Sequence, residues 1–268
     1  MKMIISPAKS LDLETPVPVS NHSDLMFEKA VKEVHQQLKS LKTSELKNKM
    51  KISDKIAALN WERNQQFKWP MTSGYSRQAV FAFNGDVYKG LEAYSLKEEE
   101  IARMQEMLFI LSGLYGMLKP LDLIQAYRLE MGTSMKVAKA ASLVAYWKPI
   151  LTEKLNDLLE NEETLVNLAS KEYSAAIDFK SIKNKIVHPE FKDFKNGSLK
   201  TISFFAKKAR GMMSRYLIEN NAKNIEDILG FSKEGYVSSP NGIRSSKTFG
   251  HSLIFKKLNN THNSYFSF

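Results

Sequence analysis

The side chains best suited to chemistry crowd onto one stretch, which the spacing predicts to be a helix over 206–220. At about 100° per residue, with Lys207 at 0°, Lys208 falls near 100°, Arg210 near 300° and Arg215 near 80°, so four cations share one face. Phe205, Ala209, Met213 and Tyr216 occupy the opposite face. Gly211, near 40°, lies within the cationic arc, although glycine costs a helix interior about 1 kcal/mol against alanine. Two readings stay open: a phosphate backbone approaches the helix closely there, or a neighbouring element packs against it.

Three further constellations could take part. Ser6-Pro7-Ala8-Lys9 follows a strand read at Met1 to Ile5. Ligands of open sheets sit outside the carboxyl ends of strands, which puts Lys9 where a site would form. Tyr127 to Met131 reads as a strand whose alternation sets Arg128 and Glu130 on one side. That pair is either a structural ion pair or a phosphate-binding arginine beside a carboxylate acid or base. Asn84-Gly85-Asp86-Val87-Tyr88 is a polar loop able to line the same cleft. Finally, Leu111 to Lys119 carries a glycine-bearing turn, Gly113 to Gly116, between apolar stretches. It resembles the turn of helix-hairpin-helix modules, which offer backbone N–H groups to phosphate, and it nominates Gly113, Gly116 and Lys119. The two glycines here are separated by two residues rather than the usual one.

Charge points the same way. The chain has 268 residues, a formal charge of +10 and an isoelectric point near 9.4. Ten basic residues against two acidic ones between Lys180 and Arg215 account for +8 of that charge, so the basic segment spans about 180–220. Such a patch attracts polyanions; the plain alternative is a solvated charged face. With no cysteine there is no disulfide, thiolate metal site or cysteine nucleophile. The five histidines are scattered, and no Walker loop, His-Glu-x-x-His, EF-hand or G-x-S-x-G motif occurs. No cofactor and no metal are expected. The apolar stretch from Met107 to Leu118 is too short for the roughly 20 residues a bilayer demands. The amino terminus lacks a signal-peptide pattern, so a cytoplasmic protein without membrane contact is expected.

The positioning elements follow from periodicity. Helices are predicted over Asp24 to Leu41, capped by Ser23; from Ser53; from a Ser95/Glu98 capping box to Gly113; and over Ser142 to Leu159. Strands are predicted at Ala79 to Phe83 and Thr164 to Leu168. An Asn196-Gly197 hairpin is predicted between Lys185 to Phe191 and Leu199 to Phe205. The fold class expected is α/β (mixed α+β), a single large domain of residues 1–268. It would carry a positively charged cleft, a helix-hairpin-helix-like element at about 98–126, and a loose tail at about 258–268.

Ser6-Pro7-Ala8-Lys9, Ile52-Ser53-Asp54-Lys55, Ala82 to Tyr88, Leu111 to Gly116, Pro120-Leu121-Asp122-Leu123, Tyr127 to Gly132, Asn167-Leu168-Ala169-Ser170 and Ala206 to Gly211 run in order along the chain. Together they resemble the YaaA family of bacterial peroxide-stress proteins. Ala126 departs from the proline expected before Tyr127, and the carboxyl-terminal tail is longer than expected. The resemblance implies a single-domain α/β fold whose basic cleft and helix-hairpin-helix element bind DNA, duplex or branched. It also implies a role in limiting free intracellular iron under hydrogen peroxide. Carried over by position, Lys9, Arg128, Lys207, Lys208, Arg210 and Arg215 become cleft residues and Gly113 to Gly116 the hairpin turn, while Gly211 is a candidate anion-binding residue from its place in the cationic arc. Without cysteine the chain cannot reduce peroxide as a peroxiredoxin does. The leading expectation is therefore a DNA-binding stress protein, monomeric rather than oligomeric, and a non-enzyme. The alternative is an enzyme acting on a small anionic or phosphorylated substrate between Lys9, Arg128, Glu130 and Lys207.

Overall fold

The computed structural model describes residues 1–195, 198–246 and 250–258. Its centre is a mixed sheet. The strands are β1 (Lys2–Ile5), β2 (Leu108–Ser112), β3 (Gly116–Leu118), β4 (Leu165–Asn167), β5 (Ile186–Lys195), β6 (Ser198–Lys200), β7 (Tyr236–Ser246) and β8 (Gly250–Lys257), in the order β7-β8-β5-β4-β1-β2-β3, with β6 on β5. β1 runs parallel to both β2 and β4, with Met3 opposite Leu108 and Val166. β4 is parallel to β5, and β5 to β8. A strand covered on both faces needs a near-continuous apolar run. Met3, Ile4 and Ile5 supply one, and Leu108 to Leu111 another, all essentially inaccessible to solvent.

Among the described residues ten α-helices surround the sheet in one domain: α1 (Glu28–Ser40), α2 (Thr43–Met50), α3 (Asp54–Gln66), α4 (Ala79–Ala82), α5 (Asp86–Leu91), α6 (Glu98–Met107), α7 (Leu143–Leu158), α8 (Lys171–Ser174), α9 (Ser203–Glu219) and α10 (Ile225–Leu229). Local caps set several of them. The Ser53 hydroxyl accepts from the Ile56 N–H, and the Ser142 hydroxyl from the Ala145 N–H at 3.1 Å. Among the described residues no helix is long and apolar enough to cross a membrane.

Several expectations are corrected. Residues 108–118 form no helix-hairpin-helix: α6 ends at Met107, and β2 turns tightly into antiparallel β3, with Ile110 opposite Leu118. Gly113 and Gly116 are buried in that β-hairpin. A Cβ on Gly113 would lie 2.3 Å from the Leu129 carbonyl oxygen, and Gly116 adopts φ +71° with its α-carbon against the Trp147 ring. The Trp147 indole N–H donates to the Gly113 carbonyl at 2.9 Å, which consumes the turn's polar group inside the core. These glycines serve packing and have no free face for phosphate.

Tyr127 to Met131 runs alongside without joining a strand. Ala79 to Phe83 is a short helix followed by the Phe83–Asn84 pairing with Ser10–Leu11, and Asp86 to Leu91 is helical rather than loop. Ser23 caps nothing, because its hydroxyl donates to Asp122 at 2.6 Å and α1 starts at Glu28. The cap of α6 lies two residues beyond Ser95: the Lys97 N–H donates to the Glu100 carboxylate at 2.8 Å. The β5–β6 hairpin is present, with Phe194 opposite Leu199, although its Asn196-Gly197 turn lies outside the described residues, as does most of the tail. β6 ends at Lys200, and the chain turns into α9 at Ser203.

Candidate functional site

The carboxyl ends of β1 and β4 lie side by side and are stitched together. The Ser170 N–H donates to the Ser6 hydroxyl oxygen at 2.9 Å, and the Leu168 N–H to the Ile4 carbonyl at 2.9 Å. Buried Tyr88 donates its hydroxyl to the Ser6 carbonyl at 3.2 Å. Gly85 lets α5 start against Ala8, whose Cβ leaves 3.0 Å for an added methyl. These contacts open a cavity of about 490 Å³ bordered by Ser6, Lys9, Asp86, Glu172, Lys207 and Arg210. A second cavity, of about 1030 Å³, lies over the carboxyl end of β4 and the middle of β5. Its charged wall is Lys148, Lys171, Lys180 and Arg210 against Asp178 and Glu190. Arg210 lines both.

The helical-wheel arc of cations is split by a helix crossing. At Gly211 a Cβ would sit 1.8 Å from the Val87 carbonyl oxygen, and at Gly90 it would sit 2.2 Å from the Lys208 carbonyl oxygen. Each glycine of the α5–α9 contact therefore accommodates the other helix, so Gly211 is where α5 lies against α9 and is closed to a phosphate. Lys207 and Arg210 fall on one side of the crossing, facing the cavities. Lys208 and Arg215 fall on the other. Lys208 pairs with Glu234 at 2.5 Å. Arg215 pairs with Glu219 at 2.7 Å and donates to the Leu91 and Glu92 carbonyls and the Ser95 hydroxyl. Phe205, read on the face opposite the cations, is 41% exposed.

The half-buried guanidinium of Arg210 has no ion pair or hydrogen bond among the described residues, and burial alone pulls its pKa below the usual arginine value. A cation kept out of water without a partner is costly. Lys9 sits at the rim, 62% exposed at its side chain, with its ammonium 3.0 Å from Glu130 Oε1. That same oxygen accepts from Arg128 Nη2 at 2.9 Å. Arg128 and Glu130 lie beneath the rim and line neither cavity, leaving Arg128 Nε and Glu130 Oε2 buried and unpaired. Of the two readings of this pair, the ion pair is the one present. Lys119 also lines neither cavity; its N–H donates to Asp122 at 2.8 Å. Tyr88 and Tyr173, which line the smaller cavity, and the buried Tyr127, which does not, have pKa values raised chiefly by burial and so stay neutral.

Residues 1–241 match the family described as peroxide stress protein YaaA. The chain belongs to that family. It is 54% identical to a UPF0246 protein of Flavobacterium johnsoniae over 96% of this chain and 100% of the relative. It is 48% identical to a UPF0246 protein of Aliivibrio fischeri over 96% and 98%, and 47% identical to one of Alteromonas mediterranea over 89% and 93%. Its role accordingly lies in peroxide stress. In this YaaA-family chain, sequence reasoning missed Ser170, Lys171, Lys148 and Lys180 as cavity residues. The carboxyl-end rule that nominated Lys9 after β1 applies equally to Ala169-Ser170-Lys171 after β4 and would have found two of them.

Proposed function

We propose that this peroxide-stress protein binds nucleic acid through backbone phosphates in the groove made by the two cavities that meet at Arg210. The observation that carries the reading is the unneutralised, half-buried Arg210 guanidinium, which calls for an anion, with Lys207 one turn away. Seven cationic groups against four acidic ones border the paired cavities, and together these exceed the roughly 300–1,000 Å³ usual for one small ligand. Both features suit an extended polyanion. Protection against oxidative damage would follow from occupying the DNA. Any effect on free intracellular iron is indirect in this reading, since among the described residues no group of three or more His, Asp or Glu side chains could hold an ion.

Binding to a labelled duplex and a branched junction across a salt series tests it. Contact with six or so phosphates predicts a loss of about 10³-fold between roughly 50 and 200 mM salt. Arg210→Ala should weaken binding by about tenfold or more and lower the salt slope by about 1, whereas Lys208→Ala should change neither. A flat salt response, or equal losses at both positions, refutes the proposal.

A second reading, a small phosphorylated substrate, is favoured by the smaller cavity, where the Ser6 and Ser170 hydroxyls stand 3.3 Å apart near Lys9 and Lys207. It predicts that a nucleoside monophosphate protects the fold thermally and that Ser6→Ala removes this protection without altering DNA affinity.

A further inference from the structure

Among the described residues, five of the eleven exposed large apolar side chains gather at one place: Phe194, Leu199, Phe204, Phe205 and Leu258, between 39% and 55% accessible. Leu199 lies directly across the β5–β6 hairpin from Phe194. The rings of Phe204 and Phe205, at the first turn of α9, stand 5.6 Å apart. Phe194, Phe205 and Leu258 border a shallow cavity of about 620 Å³, and the Lys257 ammonium lies 5.3 Å from the Phe205 ring centre. Ile202 lines this cavity while Thr201, its neighbour in the chain, lines the basic groove, so the two surfaces adjoin across one stretch of backbone.

We infer that this aromatic rim is a stacking platform for unpaired bases of the strand whose phosphates lie in the Lys207–Arg210 groove. The inference rests on the nucleic-acid reading above. Exposed aromatics beside a cationic track are what sequence-tolerant capture of single strands requires, because every base presents a π-face while phenylalanine offers no hydrogen bond to discriminate among bases. Charge selects this occupant over a second copy of the chain. Lys195 and Lys200 lie on the same hairpin as Phe194 and Leu199, and Lys257 lines the cavity, whereas its two carboxylates are already engaged: Asp193 accepts from Tyr236 at 2.8 Å and Glu234 holds Lys208. Self-association would press those lysines against their own copies; a polyanion neutralises them.

The test compares fluorescein-labelled oligothymidine, an abasic oligomer of the same length and a blunt duplex, by anisotropy at fixed salt. Wild type is expected to prefer oligothymidine to the abasic oligomer by roughly tenfold per stacked base. Phe204→Ala/Phe205→Ala should erase that preference while leaving duplex affinity within about twofold, and Phe204→Trp/Phe205→Trp should restore it. Both positions are exposed, and an unchanged melting temperature verifies the fold. Equal wild-type affinity for oligothymidine and the abasic oligomer overturns the platform while the groove stands; absence of binding to all three overturns the groove and the platform with it. Loss of a dimer on the double substitution, seen by sedimentation, would assign the patch to self-association instead. A gain of single-strand affinity on removing residues 259–268 would assign it to the chain's own terminus.

Discussion

Gly211→Ala separates two explanations of the same glycine by the sign of one measurement. If the glycine existed to admit a ligand, alanine would stabilise α9 by about 1 kcal/mol through helix propensity. That would raise the melting temperature by roughly 2–4 °C in a protein of this size. The structure predicts the reverse. The added Cβ would stand 1.8 Å from the Val87 carbonyl oxygen and 2.8 Å from the Leu91 N–H nitrogen, both backbone atoms that cannot swing aside. Reaching even 3.0 Å from that oxygen requires α5 and α9 to part by about 1.2 Å. Such a shift strains the seating of Ala209, Met213 and Leu217, all fully buried. Overpacking of this kind costs about 1–3 kcal/mol, sometimes more, and here it must also overcome the propensity gain. A net loss of about 2 kcal/mol is expected, lowering the melting temperature by roughly 4–8 °C. Urea unfolding should show the same loss, and the Gly90→Ala/Gly211→Ala double variant should lose less than the sum of the singles, because the helices part only once. A Gly211→Ala protein that is more stable than wild type yet binds DNA poorly would refute the helix-crossing account and reinstate the phosphate one.

Two other perturbations probe neighbouring assignments. Arg215→Ala removes the Glu219 pair and the donors to the Leu91 and Glu92 carbonyls. It should cost about 1–3 kcal/mol in thermal unfolding and leave DNA affinity within twofold; a strong binding defect in a fully stable variant would return Arg215 to the interface. Asp122, fully buried, is pushed from 3.8 up to about 6 mainly by burial, despite hydrogen bonds from Ser23 and the Lys119 N–H. Its folded form holds the proton more tightly than the unfolded chain, so its contribution to stability is complete below about pH 4 and is lost as pH rises through about 6. The stability of wild type relative to Asp122→Asn should therefore fall by on the order of 2–3 kcal/mol between pH 4 and 7 in chemical denaturation, and a constant difference would refute the assignment.

What the sequence made legible is what is decided locally. The helices predicted to begin at Ser53 and Ser142 are present, each with that serine as its N-cap, and the short apolar runs at Lys2–Ile5 and Leu165–Asn167 are strands. Leu108 to Leu111 misled because a continuous apolar run extends helical spacing from Ile101 and Met104 as readily as it fills a buried strand. Only its pairing with β1, about a hundred residues away in the chain, decides the matter, and no local pattern encodes that. Reading it as helix then turned a β-hairpin's packing glycines into a phosphate loop. The β7–β8 hairpin, in which Leu253 and Phe255 point inward, went unread, although that alternation was a usable signal.

The basic segment failed differently. Its charge count is correct, but a count has no direction, and a wheel of cations does not show where another helix will cross it. Gly90 within 86–91 and Gly211 within the basic helix are the two halves of that crossing, and once they meet the arc divides. Lys208 and Arg215 spend their charge on Glu234 and Glu219, while Lys207 and Arg210 are left over the carboxyl ends of the strands. Net charge thus overstates the binding surface, since a cation already paired gains little from a phosphate. Of the cations that line the two cavities, the half-buried one without a partner among the described residues is Arg210, next in the chain to Gly211 and so set by the same crossing. A substitution that opens the crossing should therefore disturb binding through Arg210 even where no phosphate touches the glycine.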